Sequence, residues 1–583
     1  MTILSHLSFN MLSVRIMERK PTKYRHASLC AFILLTCVVA CEREQDWVPV
    51  SGVTLDRTSQ TLKTGESVSL SAMVSPVDAS DKSISWSSSN PSIATVSDGH
   101  VSALAAGVAT ISVTTGDGNY VDDCRITVID KLGLLSFTAL SDSCTVELLN
   151  RGNTPDLSYS MDGLNWKSWD CSAILFRDGE TLYLKGNNPD GFSHGYDHYS
   201  TFKMNGVISA EGNIMSLLYG DDYYGRTSIP SAYCFYYLFS QCPNLVSAPE
   251  LPATELTPHC YHSMFSECIS LTVAPELPAT TMAGYCYADM FLLCGALTAA
   301  PVLSATDLAP GCYYSMFYGC FSLKEAIELP AETLAPYCYY QMFSSTGLTE
   351  APALPATILA DYCYSKMFLF CGSLAEAPEL PATTLASHCY SEMFKFCGSL
   401  AEAPELPATT LASYCYQDMF FHCGKLTAAP DLPATKLANN CYSYMFAYCG
   451  SLSEAPEIRA TTLAFACCEG MFKETKLTAA PSLPATILAD FCYSFMFQGC
   501  TELISTPVLP AENLTVGCYC AMFLGCSKLN WVKMLAVDMQ SRGSLEQWLV
   551  GVSSTGTFIK NKDAKWELIG DSGIPEGWTV LYE

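Results

Sequence analysis

From Cys234 to about Leu529 the apolar positions of this chain recur on a fixed period. Units start at Cys234, Cys260, Cys286, Cys312, Cys338, Cys363, Cys389, Cys415, Cys441, Cys467, Cys492 and Cys518; nine of the eleven intervals are 26 residues and two are 25. In the unit at 389–411, apolar residues hold the first, fifth, sixth and ninth places: Cys389, Met393, Phe394 and Cys397. That spacing fits a helical turn or two with one buried face. Leu at the twelfth place then opens an extended run, Leu-x-x-Ala-Pro-x-Leu-Pro. Its central Pro cannot donate to a ladder, so the pattern predicts a strand of about two or three paired residues. A strict period in this range predicts a solenoid, in which each unit is one coil and coils bury their apolar edges against one another.

The flanks read differently. Residues 48–128 carry short alternating runs at Val53-Thr54-Leu55, Ile84-Ser85-Trp86 and Ala109-Thr110-Ile111-Ser112-Val113, with turn chemistry at Pro76, Pro91 and Asp98-Gly99. This predicts a β-sandwich. Residues 134–218 offer further turn signals at Asp162-Gly163 and Asn205-Gly206, with an alternating run at 180–185 between them. They predict a second small sandwich, docked on the first coil as its cap. Residues 538–583 leave the repeat and carry Trp548, Trp566 and Trp578, suited to covering the last open edge. The expected fold is multidomain: two N-terminal all-β sandwich domains, then twelve coils of short strand plus helical turn, then a C-terminal cap.

Composition adds a sign. The chain has 583 residues, 15% of them charged, and a formal net charge of −26. Such a surface repels phosphate backbones and anionic headgroups, so nucleic acid is not an expected partner. Near the N-terminus, Arg19, Lys20, Lys23 and Arg25 precede a largely apolar stretch at 29–40, too short to span a bilayer comfortably. That stretch ends in Val38-Val39-Ala40-Cys41, followed at once by polar residues.

The last feature resembles a bacterial lipoprotein signal. The resemblance implies removal of residues 1–40, lipidation of Cys41, a tether at 41–47 and an outer-membrane, lipid-anchored protein exposed at the cell surface. The run Ser87-Ser88-Ser89-Asn90-Pro91-Ser92-Ile93-Ala94-Thr95-Val96, followed by 99–111, is similar to the bacterial Ig-like group 2 domain, expected here at 48–129. Such domains act as spacers, and Trp86 would lie in the core. The repeated Met-Phe-x-x-Cys-x-x-Leu, then Pro-x-Leu-Pro, is similar to the BspA-like branch of leucine-rich repeats. This implies a leucine-rich-repeat solenoid at 223–537, an adaptor and N-terminal cap at 131–222, and a C-terminal cap at 538–583. It also implies a surface protein that binds host or microbial proteins or glycans.

The repeat brings its own candidate chemistry. Glu250, Glu276, Glu328, Glu379, Glu405, Asp431 and Glu457 recur at one place, and Glu350, Glu376, Glu402 and Glu454 at another, three residues earlier. Stacked carboxylates repel, so they are solvated, or neutralised by cations or by a basic partner. A solubilising face and a binding face are both open readings. The chain holds 30 cysteines. Buried thiol ladders, bridges within each coil and metal binding are the alternatives. The two 25-residue units lack the ninth-place Cys yet keep Cys338 and Cys467, which favours thiols. Tyr at the second place of ten units is either core or an exposed anchor. His194 and His198, with Asp197 between them, are a weak ligand pattern lacking a third donor. No phosphate loop, nucleophile elbow or zinc-protease helix is present. The expected protein is a non-catalytic binder without a cofactor. The alternative is a glycan-binding accessory lipoprotein of a polysaccharide-uptake system.

Overall fold

The structure is a computed structural model that describes residues 47–129, 133–152, 154–539 and 542–583. Residues 1–40, Cys41 and the tether up to Asp46 lie outside the described residues. The fold is mostly β and multidomain. Among the described residues helix is confined to Ser216–Tyr219 and a 3-10 turn at Gly220–Asp222.

Residues from Gly52 to Ile129 form an Ig-like sandwich. One sheet runs Ser59–Lys63, Val121–Ile129, Gly107–Thr115, Ile84–Ser88, and the facing one Ser67–Ser69, His100–Ala103, Ala94–Ser97. The side chains of Gly107–Thr115 alternate inward and outward, as a strand with one covered face requires. Ala94, Val101, Ile111, Cys124 and Ile126 fill the core. Trp86, expected inside it, is only half-buried and packs against its margin.

A second core runs without interruption from Leu134 to Trp578. Its first part is a β-rich unit with a six-stranded and a three-stranded sheet. The Asp162-Gly163 signal makes a longer loop between Leu157–Ser160 and Lys167–Ser168 rather than a tight hairpin. The Asp162 carboxylate accepts the Leu164 and Asn165 amides, and these bonds hold its pKa well below the usual range. This unit is continuous with the repeats. Ile208–Glu211 pairs in parallel with Leu245–Ser247 of the first unit, and Phe202 stacks on Phe239 at 5.2 Å.

Twelve sixth-place phenylalanines, Phe239 to Phe523, stack with centroids 5.3–6.0 Å apart. The expected helical turn is absent. In the unit at Cys389, the amides of Ser391, Met393, Lys395 and Cys397 bond three residues back, while those of Tyr390, Glu392, Phe394 and Phe396 bond carbonyls of the next unit. An α-helix keeps its amides at home, whereas this run exports every second one. The alternation requires a left-handed residue at every fourth position, here His388, Glu392 and Phe396. Inward places still carry Cys, Tyr, Met and Phe, so a helical apolar pattern arises from consecutive turns. The expected strands are also shortened. Between the end units, pairing shrinks to single bridges such as Val273↔Ala299 and Thr384↔Thr410, because prolines flank the run and withdraw donors.

The stack does not stop at the twelfth unit. Tyr519, Ala521, Phe523 and Gly525 donate to the carbonyls of Ser544, Glu546, Trp548 and Val550. A thirteenth unit therefore exists with Ser544 and Trp548 where Cys and Met stood before. Ser505–Leu509, Trp531–Met534, Thr557–Lys560 and Thr579–Tyr582 pair in parallel in that order, one strand from each successive layer, and carry the stack toward the C-terminus. Trp548, Trp566 and Trp578 are buried there, each indole donating to a carbonyl.

Candidate functional site

The acidic positions lie where alternation sends them. In the run 405–408, Leu406 and Ala408 point inward and Glu405 outward. Glu250, Glu276, Glu328, Glu376, Glu379, Glu402, Glu405, Asp431, Glu454 and Glu457 are all exposed. Glu350 and Glu376 are bridged directly across neighbouring units. Shallow cavities open between successive units on this face: about 400 Å³ between Glu379 and Glu405, and about 500 Å³ between Glu376 and Glu402. Pro and Ala line them beside the carboxylates. Arg459 joins the row, 3.3 Å from Asp431 and 3.0 Å from Glu457. The arrangement is a long anionic edge with small apolar clefts, suited to a cationic or hydrogen-bonding partner.

The turn face was not singled out by sequence. Its left-handed places carry aromatic side chains that stack outside the core. Tyr337, Tyr362, His388 and Tyr414 follow one another at 4.6, 4.3 and 4.5 Å, near parallel. Phe370 and Phe396 stack at 4.7 Å in a second row. Between the rows, Glu392 contacts Lys366 at 3.4 Å and Lys395 at 3.3 Å, and Lys395 reaches Asp418 at 3.6 Å. Burial pushes Asp418 up to about 6 although Lys395 draws it down. Rings stacked in this way cover one another's faces and present edges, so they are poor platforms for a sugar ring.

The second-place tyrosines, Tyr261 to Tyr519, are buried, which removes them as anchors. All 27 described cysteines are unpaired thiols, and only Cys171 and Cys520 are not fully buried. The ninth-place thiol has a defined task. Cys268 donates to the Phe239 carbonyl of the preceding unit at 3.1 Å, and Cys294 to Phe265 at 3.0 Å; the pattern runs to Cys526. Where that Cys is missing, Thr346 and Thr475 place a hydroxyl against the next unit's thiol, at 3.4 and 3.3 Å. Burial pushes the ninth-place Cys242 up to about 12, and the first-place Cys234, Cys286 and Cys415 likewise. Thiols held in that form are inert.

His194 and His198 are exposed and closed into a turn by backbone hydrogen bonding. Among the described residues no three or more His, Cys, Asp or Glu side chains converge on a metal position, and no helix is long and apolar enough to cross a membrane. A cavity of about 450 Å³ near the C-terminal sheet is lined by Trp578, Tyr582 and Lys560 among others.

Comparison with known proteins bears on the N-terminal sandwich. Residues 49–126 match the bacterial Ig-like domain (group 2). The chain is 40% identical over 83 residues to an Ig-like virion protein of Serratia phage KSP90, covering 14% of this chain and 32% of that protein. It is 41% identical over 83 residues to a kappa-carrageenase of Pseudoalteromonas carrageenovora, covering 14% of this chain and 21% of the enzyme. It is 40% identical over 82 residues to an alpha-L-arabinofuranosidase of Bifidobacterium longum, covering 14% of this chain and 8% of that enzyme. Each aligned stretch is about as long as the Ig-like domain. The chain thus contains a bacterial group 2 Ig-like domain, which is itself non-catalytic.

Proposed function

We propose that this is a surface-anchored, non-catalytic binding protein, lipidated at Cys41 and held at the outer membrane, with the Ig-like domain as its spacer. On this reading the repeats from residue 223 are a BspA-like leucine-rich-repeat solenoid capped at 131–222, and the stretch 538–583, expected as its C-terminal cap, begins with a thirteenth unit at Ser544. The unbroken Phe239 to Phe523 stack supports a solenoid. One observation carries the binding function: the exposed row of carboxylates from Glu250 to Glu457, repeated unit by unit beside small clefts. Carboxylates copied by a repeat favour multivalent contact over catalysis, which needs a unique constellation. The partner is a host or microbial macromolecule presenting basic or neutral polar groups.

The second reading is a glycan-binding accessory lipoprotein of a polysaccharide-uptake system. The two enzymes above, named for polysaccharide and arabinoside substrates, favour it. The burial of the second-place tyrosines weighs against it.

The test is an array of host matrix proteins, mucins and polysaccharides, probed with the full chain and with a variant carrying Glu376→Gln, Glu379→Gln, Glu402→Gln and Glu405→Gln. The proposal expects a salt-sensitive protein ligand, bound at least about tenfold more weakly by the variant. Binding that the variant leaves unchanged, or binding to polysaccharides alone, would refute it. In cells, Cys41→Ser is expected to release the protein from the membrane fraction.

A further inference from the structure

His259 and His262 stand at the edge of the second unit, where a loop of the β-rich part reaches past the first unit to meet them. His259 is left-handed, with φ of 57°, and the His262 amide closes back on its carbonyl. This brings both rings to one side, with Nδ1 to Nδ1 at 3.2 Å. Tyr196 reaches over from the earlier loop and puts its Oη 3.4 Å from His259 Nδ1. On the far side, His262 Nε2 lies 3.4 Å from the Asp289 carboxylate of the next unit. His259 is clamped between Tyr233 and Tyr285, at 4.6 and 5.2 Å and within 2° of parallel to each.

We propose that Tyr196, His259 and His262 bind a divalent transition-metal ion of the Zn²⁺ or Cu²⁺ class. Tetrahedral bonds of about 2.0–2.1 Å to imidazole place two ligand nitrogens about 3.3 Å apart, which is the separation already set here. Asp289 stands behind His262. Its carboxylate lies 3.4 Å from Nε2, on the side of the ring away from Nδ1, the place from which ligating imidazoles are oriented. Imidazole donors select Zn²⁺, Cu²⁺ or Ni²⁺ over Ca²⁺. Water completes the coordination, since Tyr196 is exposed at the mouth. The ion would tie the β-rich part, through Tyr196, to the second unit, through its histidines, with the third unit's Asp289 behind them.

The test uses the full chain, stripped with chelator, with Cys171→Ser and Cys520→Ser to remove the partly exposed thiols. Calorimetric titration with Zn²⁺ is expected to show one ion per chain. Asp289→Asn should weaken it about 10- to 100-fold, the double variant His259→Ala/His262→Ala should abolish it, and His194→Ala/His198→Ala should leave it intact. The Cu²⁺-loaded parent should show nitrogen ligation by electron paramagnetic resonance, a readout that needs no histidine variant to fold. No stoichiometric binding, binding that survives in His259→Ala/His262→Ala, or Cu²⁺ without nitrogen ligands would overturn the proposal.

Discussion

Replacing Phe394 by Ala removes one rung from the middle of the stack. Phe394 is fully buried and lies parallel to Phe368 and Phe420, with centroids 5.6 Å away on each side. Truncating a buried Phe costs about 3–5 kcal/mol through lost transfer energy and the cavity left behind. Two broken aromatic contacts add about 0.5–1.5 kcal/mol each. The rung also positions backbone: the Phe394 amide bonds Met419, and its carbonyl accepts the Cys397 amide and the Cys423 thiol. Unit stability here is shared with nearest neighbours, so the loss should spread to both flanks and then fade. The assay is native-state hydrogen exchange on the full chain. Protection of the inter-unit amides of Phe368 and Phe394 should fall by about 4 kcal/mol or more, while the Ig-like amides of Gly107–Thr115 keep theirs. Phe370→Ala supplies the contrast, because that ring is 52% exposed and its loss should cost below about 1 kcal/mol. A loss under about 1 kcal/mol for Phe394→Ala, or uniform loss across the Ig-like domain, would refute the reasoning.

Asp418 gives a pH dependence of unusual sign. Its folded pKa, about 6, stands above its ordinary 3.8, so the native state holds a proton the unfolded chain has released, and its contribution to stability declines as pH rises from about 4 through about 6. Asp418→Asn should therefore stabilise the repeats at pH 7 by up to about 3 kcal/mol and change little at pH 4, read by denaturant titration; equal effects at both pH values would contradict this. Among the 27 described cysteines a thiol reagent should modify Cys171 and Cys520 first, and the 25 buried ones only after denaturation; loss of titratable thiols without reductant would point to bridges instead. Gly311 is left-handed, with φ of 61°, and the Tyr285 ring lies over the space a Cβ would take. Gly311→Ala should cost at least about 1–2 kcal/mol in thermal or chemical unfolding, and a neutral result would show that the ring is free to move.

Much of this architecture could be read from spacing because each repeated side chain packs on its own copy. Phe, Met and the first-place Cys meet their counterparts one unit away, so selection for packing writes the period into the chain. The acids at Glu379 and Glu405 were legible for a related reason: they alternate with inward Leu and Ala. The local conformation was not legible. A run with a left-handed residue at every fourth position gives the same apolar spacing as a helix, and no glycine signal marks His388, Glu392 or Phe396. The thirteenth unit was hidden because Ser544 and Trp548 replace the Cys and Met that define the others. The His259 and His262 pair was not legible because its neighbours, Tyr196 and Asp289, come from other segments. His194 and His198, which the sequence does mark, sit on the same loop as Tyr196 but face solvent.

The central claim is that successive units pile onto one another at a constant step. It is tested most directly by pulsed dipolar distance measurement on the full chain, with spin labels carried by unnatural amino acids at Glu276, Glu379 and Glu457. These positions are equivalent places, four and seven units apart, on the exposed acidic face. At a step near strand spacing, the pairs 276–379 and 276–457 should give narrow distributions centred at about 20 Å and about 35 Å, in a ratio close to four to seven. Broad distributions, or distances that do not scale with the number of units between the labels, would contradict the account.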